Sequence, residues 1–261
     1  QTTLRQFEEA DNFGSLIRPD VTDVDNMLRI LESKNVSGQL FISMTHQKVL
    51  QALRQADYLS PKYHVVIANP PYMGGKGMNG RLSAWAKTVY PDSKTDMYSM
   101  FIERSLSLVQ QNGLASLITI QNWMFLSSFE KLRINILEKH GIRSLIQIGY
   151  NSFPELNSKV AQAAAFVIQA KGSSIVSEYL NLNDAPQAAN KELVFKEKLS
   201  QNHVFRVHQR ELSDIPGYPI AYWISPTLRS IFSTAERLGA LAKPRQGLAS
   251  GDNDRFMFHF S

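Results

Sequence analysis

The run Val65-Val66-Ile67-Ala68-Asn69-Pro70-Pro71-Tyr72 joins a short apolar stretch to four residues whose types could carry chemistry. The Asn69 side-chain carbonyl and the Pro70 backbone carbonyl are adjacent hydrogen-bond acceptors. Placed on the two N–H bonds of an aromatic amine, they pull its lone pair out of ring conjugation and aim the nitrogen at an electrophile. An amine held this way can take a methyl group with little acid–base help. Two prolines in series stiffen the backbone that carries the acceptors. Tyr72 offers a ring on which a flipped base can stack, worth roughly 1–3 kcal/mol per base. The same four residues would also serve as a stiff turn after a strand.

Gly74-Gly75-Lys76-Gly77-Met78-Asn79-Gly80-Arg81 follows directly. Its backbone N–H groups, with Lys76 and Arg81, could cradle phosphates, and its glycines equally suit a lid over a site. It lacks the G-x-x-x-x-G-K-[ST] pattern of a nucleotide-binding P-loop. His203 and His208 lie five apart with no acidic or cysteine residue between them, so no metal site is expected. Asp252 and Asp254 start like a calcium loop but lack the Gly and Glu that would complete one. No G-x-S-x-G elbow is present for serine catalysis. The chain has no cysteine, which excludes disulfides, thiolate zinc sites and a Cys nucleophile.

The elements needed to position these residues are legible in the periodicity. Residues 20–58 read as two amphipathic helices split at Gly38, the first opened by a Thr22–Asp25 capping signal. Val65–Ala68 is short, apolar and β-branched, which suits a parallel strand buried on both faces. Gly74–Gly80 reads as a loop. A helix is expected from Asp96, stopped by Asn112-Gly113, followed by a strand from Leu114 to Ile120. Ser127 and Glu130 predict a capping box for a helix reaching His140-Gly141. Ser144–Ile148 and Ala161–Ile168 are two further strands. This order describes half of an open, mostly parallel α/β sheet closed by an antiparallel edge pair. Ligand sites in such sheets lie beyond the carboxyl ends of the strands, where Asn69–Tyr72 would stand. Beyond Lys171 the composition turns polar, and modest structure is expected to about Gly239.

With 261 residues, 43% hydrophobic and 20% charged, the chain has room for one large domain or one domain and part of a second. No stretch approaches the ~20 apolar residues of a membrane span. A formal net charge of +5 favours a polyanionic partner such as nucleic acid. The chain starts at Gln1 and stops in a mixed apolar run, so a piece of a longer protein is expected.

The segment VVIANPPY resembles motif IV of the amino-methyltransferases that act on adenine N6 or cytosine N4. TDMYSMFIERSLSLVQQNG, LASLITIQNWMFLSSFEKLR and YNSFPELNSKVAQAAAFVIQ are similar, in order, to the helix, strand and Phe-Pro segment that follow it. NPPYMGGKGMNGRLSAWAK, IPGYPIAYWISP and RQGLASGDNDRF look like the PglX-type adenine methyltransferases of BREX phage-defence systems. The resemblance implies the C-terminal half of a Rossmann-like, S-adenosylmethionine-dependent methyltransferase sheet, with a connector towards a target-recognition region. On that basis residues 1–170 are a partial catalytic domain lacking its cofactor-binding N-terminal part. Residues 171–240 are the connector, and 241–261 begin target recognition. It further implies a cytoplasmic enzyme that methylates adenine N6 in double-stranded DNA, with other defence-system proteins as partners and no membrane.

By position in that family, Phe153 packs against the flipped base and Asp57 contacts the cofactor's adenine. Two departures stand out. The only glycines before Asn69 are Gly14 and Gly38, neither in a G-x-G, so the cofactor turn is expected upstream of Gln1. His64 occupies a position that is often acidic in the family. Two other readings stay open: the same amine chemistry on a protein glutamine or an RNA base, and a non-catalytic DNA- or protein-binding module of a defence complex.

Overall fold

Six strands form a single mixed sheet in the order β1-β2-β4-β3-β5-β6. In the computed structural model all residues are described except 1, 21–22, 35–39, 151, 153–161, 173–174, 187, 237 and 244–261. The strands are β1 (Tyr63–Ala68), β2 (Val109–Ile120), β3 (His140–Gly149), β4 (Ala163–Ala170), β5 (Val176–Asn181) and β6 (Phe205–His208). β1 runs parallel to β2, and β3 to β5, while β4 runs antiparallel to both β2 and β3. β6 pairs antiparallel with β5.

The expected antiparallel edge pair is therefore corrected. The reversed strand β4 lies inside the sheet between β2 and β3, and two more strands continue beyond β3. Those strands fall in the stretch from 171 onwards where modest structure was expected, together with helix α8 (Lys191–Ser200). They are short and mix apolar with polar residues, as in Val176-Ser177-Glu178-Tyr179 and Phe205-Arg206-Val207-His208, so composition alone hid them.

Helices α1 (Thr2–Gln6), α2 (Ala10–Phe13), α3 (Val24–Glu32), α4 (Leu40–Leu59) and α5 (Gly80–Val89) precede or flank α6 (Met97–Leu108), and α7 (Glu130–Lys139) follows β2. α6 packs on β1 and β2, and α7 on β3. Their periodic apolar residues, among them Tyr98, Ile102, Leu132 and Ile136, meet Ala115, Leu117, Leu145, Phe166 and Ile168 of the sheet in one buried cluster. Each such large side chain contributes about 1.5–3 kcal/mol by leaving water. A second cluster joins α1 to α5 and α6 through Phe7, Phe13, Leu53, Leu82, Tyr90 and Met100. Phe13 stacks on Trp85 within it, with ring centroids 4.3 Å apart.

Local signals held unevenly. Asp96 caps α6 by accepting the Tyr98 N–H, as its position predicts. Asn112-Gly113 does not end that helix; the pair sits inside β2, where Asn112 has φ 64° and the register against β1 shifts. Gly113 is needed there because a Cβ would lie 2.9 Å from the His64 carbonyl oxygen. The Ser127–Glu130 box is absent: Phe129 precedes α7 and no side chain caps it. Asp23 caps α3, accepting the Asn26 N–H, while Thr22 lies outside the described residues. Gly80, read as the end of a loop, opens α5 (Gly80–Val89), a helix to which the sequence reading gave no assignment, with Asn79 as its cap.

The expected burial of Val65–Ala68 on both faces is also corrected. β1 is the outermost strand of the described sheet, and Ile67 and Val65 are 79% and 52% exposed because nothing among the described residues covers that face. Residues Gln1–Trp223 form one compact unit and Ile224–Ser261 a second. Within the latter, α9 (Pro226–Thr234) starts at a Ser225 cap, with α10 (Leu238–Leu241) behind it. No described helix is long and apolar enough to cross a membrane.

Candidate active site at the end of β1

The prolines end β1 as their missing N–H groups require, and the chain turns at Asn69-Pro70-Pro71-Tyr72. Asn69 and Pro71 are exposed, Pro70 is buried and Tyr72 is half-buried. Asn69 is thus displayed at the carboxyl end of the strand and not turned inward. The Tyr72 hydroxyl lies 3.5 Å from both Asn69 Oδ1 and the Ile118 carbonyl oxygen, so it can donate to either. Burial raises the Tyr72 phenol above its ordinary value, which keeps it a donor at neutral pH. The Tyr98 ring meets the Tyr72 ring edge to face, with centroids 6.2 Å apart.

Behind the turn, residues 73–75 run against 95–97. Met73 N–H donates to Asp96 Oδ1 at 3.0 Å, Met97 N–H to the Met73 carbonyl at 3.0 Å, and Gly75 N–H to the Thr95 carbonyl at 3.2 Å. Burial pushes the Asp96 carboxyl up from its ordinary value, partly offset by the backbone N–H groups of Tyr98, Met73 and Met97. Neither Asp96 nor Tyr98 was singled out from the sequence as a site residue. Their signal was there in TDMY, but it reads as an ordinary helix start.

The remaining expected residues are placed as follows. Lys76 is exposed in the glycine-rich loop. Arg81, in the first turn of α5, pairs with Glu9, so its cation is already engaged within the chain. Asn79 holds the start of α5 through Leu82 N–H at 2.9 Å and exchanges side-chain hydrogen bonds with Asn12. Asp57 lies half-buried near the end of α4. Phe153 lies outside the described residues, as does RQGLASGDNDRF. A cavity of about 510 Å³ between α1–α2 and α4, lined by Phe7, Asp11, Lys48 and Val49 among others, contains none of the turn residues.

A polar cluster sits where β2, β3 and β5 end. Gln147 Nε2 and Asn183 Nδ2 donate to Gln121 Oε1 at 3.0 and 3.2 Å, and the Tyr222 hydroxyl donates to Gln147 Oε1. Gln121 also joins Gln162, just before β4, by backbone and side chain. These residues are spread over some hundred positions and share no local pattern. Trp123, in the loop after β2, is fully buried and serves the core. Among the described residues no group of three or more His, Asp or Glu could hold a metal ion.

The two curated relatives with strong similarity cover nearly all of this chain. The adenine-specific methyltransferase BrxX of Escherichia coli O9:H4 (strain HS) is 34% identical over 245 residues, 92% of this chain and 20% of the relative. The adenine-specific methyltransferase PglX of Lacticaseibacillus casei (strain Zhang) is 32% identical over 265 residues, 97% of this chain and 22% of the relative. The expected PglX-type resemblance is borne out. The chain spans about a fifth of the length of these relatives. A solved structure from a type I restriction-modification system superposes with a TM-score of 0.49 at 14% identity, covering 63% of this chain and 38% of the other. The model of the family described as Eco57I restriction-modification methylase matches residues 9–153, more than half of the sequence, and the chain belongs to that family.

Proposed function

We propose that this chain carries the amine-holding part of an adenine-N6 DNA methyltransferase working in a phage-defence or restriction-like system. The observation that supports it most is the exposed Asn69 at the carboxyl end of β1, with the Pro70 carbonyl beside it. Asn69 Oδ1 and the Pro70 carbonyl oxygen accept the two N–H bonds of a flipped adenine. This draws the nitrogen towards a tetrahedral shape and points its lone pair away from the base plane. Tyr72 stacks on the base, and Phe153 closes its other face. The amino proton leaves to solvent, with no covalent intermediate. Lys76 and Arg81 stand near the DNA backbone, Arg81 by exchanging Glu9 for a phosphate.

The described residues do not by themselves make a cradle for S-adenosylmethionine. Neither Gly14 nor Gly38 belongs to a G-x-G turn, and the side of β1 where a further strand would bring such a turn is uncovered. The cofactor turn therefore comes from outside this chain, in keeping with relatives five times its length, and Asp57 then lies towards the cofactor's adenine. Isolated, the chain is a base- and DNA-holding module without transfer activity. Titration calorimetry of S-adenosylmethionine into the isolated chain should give no binding; micromolar binding would overturn this division of labour.

The main test uses the intact polypeptide, duplex DNA and labelled S-adenosylmethionine. Asn69→Ala should lower methylation by at least about a hundredfold, the size of a lost transition-state hydrogen bond, with DNA binding retained. Methylation at the wild-type rate would refute the assigned role. Parallel assays on a protein glutamine and on ribosomal RNA separate this reading from the other amine substrates.

A further inference from the structure

The turn Asn69–Tyr72 is stiffened on one side only. Its prolines restrain the chain as it leaves β1, but after Tyr72 come Met73 and a loop with glycines at 74, 75 and 77 that has little conformational restraint of its own. What holds that side is the first turn of α6. A helix-capping aspartate needs only N–H groups of its own helix, yet Asp96 Oδ1 accepts two: Tyr98 N–H at 3.3 Å within the helix, and Met73 N–H at 3.0 Å from 23 residues upstream. The Met97 and Gly75 bonds complete a short antiparallel strap with Gly74 opposite Asp96. Tyr98, the second residue of the same helix, meets the Tyr72 ring edge to face.

We infer that Asp96 is a positioning residue for the methyl-accepting amine: by gripping Met73 N–H it fixes the far side of the Asn69–Tyr72 turn and thereby the two acceptors. This rests on the reading of Asn69 and Pro70 given above. Asp96 touches neither base nor cofactor; it acts through Met73. A displacement of about 1 Å in such acceptors costs on the order of a hundredfold in rate while binding is largely kept.

Asp96→Ser and Asp96→Asn in the intact polypeptide separate positioning from capping. Serine caps a helix as well as aspartate does, but its shorter side chain cannot also reach Met73. Asparagine keeps an acceptor oxygen at the same length. Asp96→Ser should therefore lower kcat by about 10- to 100-fold with KM for DNA and melting temperature near wild type. Asp96→Asn should recover most of the rate. Hydrogen exchange gives a second reading independent of turnover: the Met73 amide should exchange faster in Asp96→Ser and at the wild-type rate in Asp96→Asn.

Unchanged kcat in Asp96→Ser, unchanged Met73 exchange, or an Asp96→Asn as slow as the serine variant would each overturn the inference. A wild-type polypeptide that methylates no duplex adenine brings down the Asn69 reading itself. A wild-type enzyme with an indifferent Asp96→Ser brings down only Asp96.

Discussion

Arg133, fully buried in α7, donates from Nε and Nη2 to the Gly217 carbonyl at 3.0 and 2.6 Å, while its Nη1 reaches the Trp123 and Leu126 carbonyls at 2.8 and 2.7 Å. One guanidinium thus ties the loop after β2 to a turn more than eighty residues later. Arg133→Met keeps much of the apolar stem but leaves three inward carbonyls without this donor. It should cost about 3 kcal/mol, read as a lowered urea midpoint with an unchanged slope. A midpoint equal to wild type would show that water or backbone replaces the clamp.

Tyr72 divides into a ring and a hydroxyl with separable roles. Tyr72→Phe keeps the stacking face and should stay within a few-fold of wild-type methylation. Tyr72→Ala should weaken capture of the extrahelical base roughly ten- to hundredfold. The fluorescence of 2-aminopurine placed at the target adenine reads this directly. Equal flipping by both variants would remove Tyr72 from the base site.

Gly113 of β2 lies against the backbone of β1, and a Cβ there would meet the His64, Tyr63 and Gln110 carbonyls at 2.9–3.1 Å. Backbone on every side leaves nothing flexible to yield. Gly113→Ala should lower stability by about 1–3 kcal/mol and raise amide exchange in β1 first. Gly80→Ala, with open space around its position at the start of α5, serves as the control and should melt at or slightly above the wild-type temperature.

Burial, with Lys139 beside it, holds the His140 imidazole below the ordinary histidine value of 6.5. Between that folded value and 6.5 the unfolded chain binds a proton that the folded chain refuses, so stability rises with pH across this window. The contribution is complete above pH 6.5 and is lost as pH falls towards the folded value. Urea midpoints should drop between pH 7.5 and 5.5, and His140→Gln should flatten that drop. A midpoint difference unaffected by the substitution would place the pH dependence elsewhere.

Much of the site region could be read in advance. The β-branched run before two prolines marked both β1 and the turn, and Asp96 marked the start of α6, because each signal lies within a few residues. Failures followed distance and context. β4 inside the sheet, and β5 and β6 beyond β3, depend on pairing between segments whose own patterns are weak. Gln121, Gln147, Asn183 and Tyr222 form one network only because three strand ends converge. The hold of Asp96 on Met73 spans a glycine-rich loop and a whole helix, so its capping role was visible and its second role was not. Arg81 could be seen as a cation, but its Glu9 partner could not.

A strand with one unclaimed flank is also a template. Along β1 the outward N–H and C=O groups beside Ile67 will accept any backbone of suitable shape, including that of another copy. Produced alone, this polypeptide should drift into oligomers joined flank to flank, and a lysine in place of Ile67 should slow that drift.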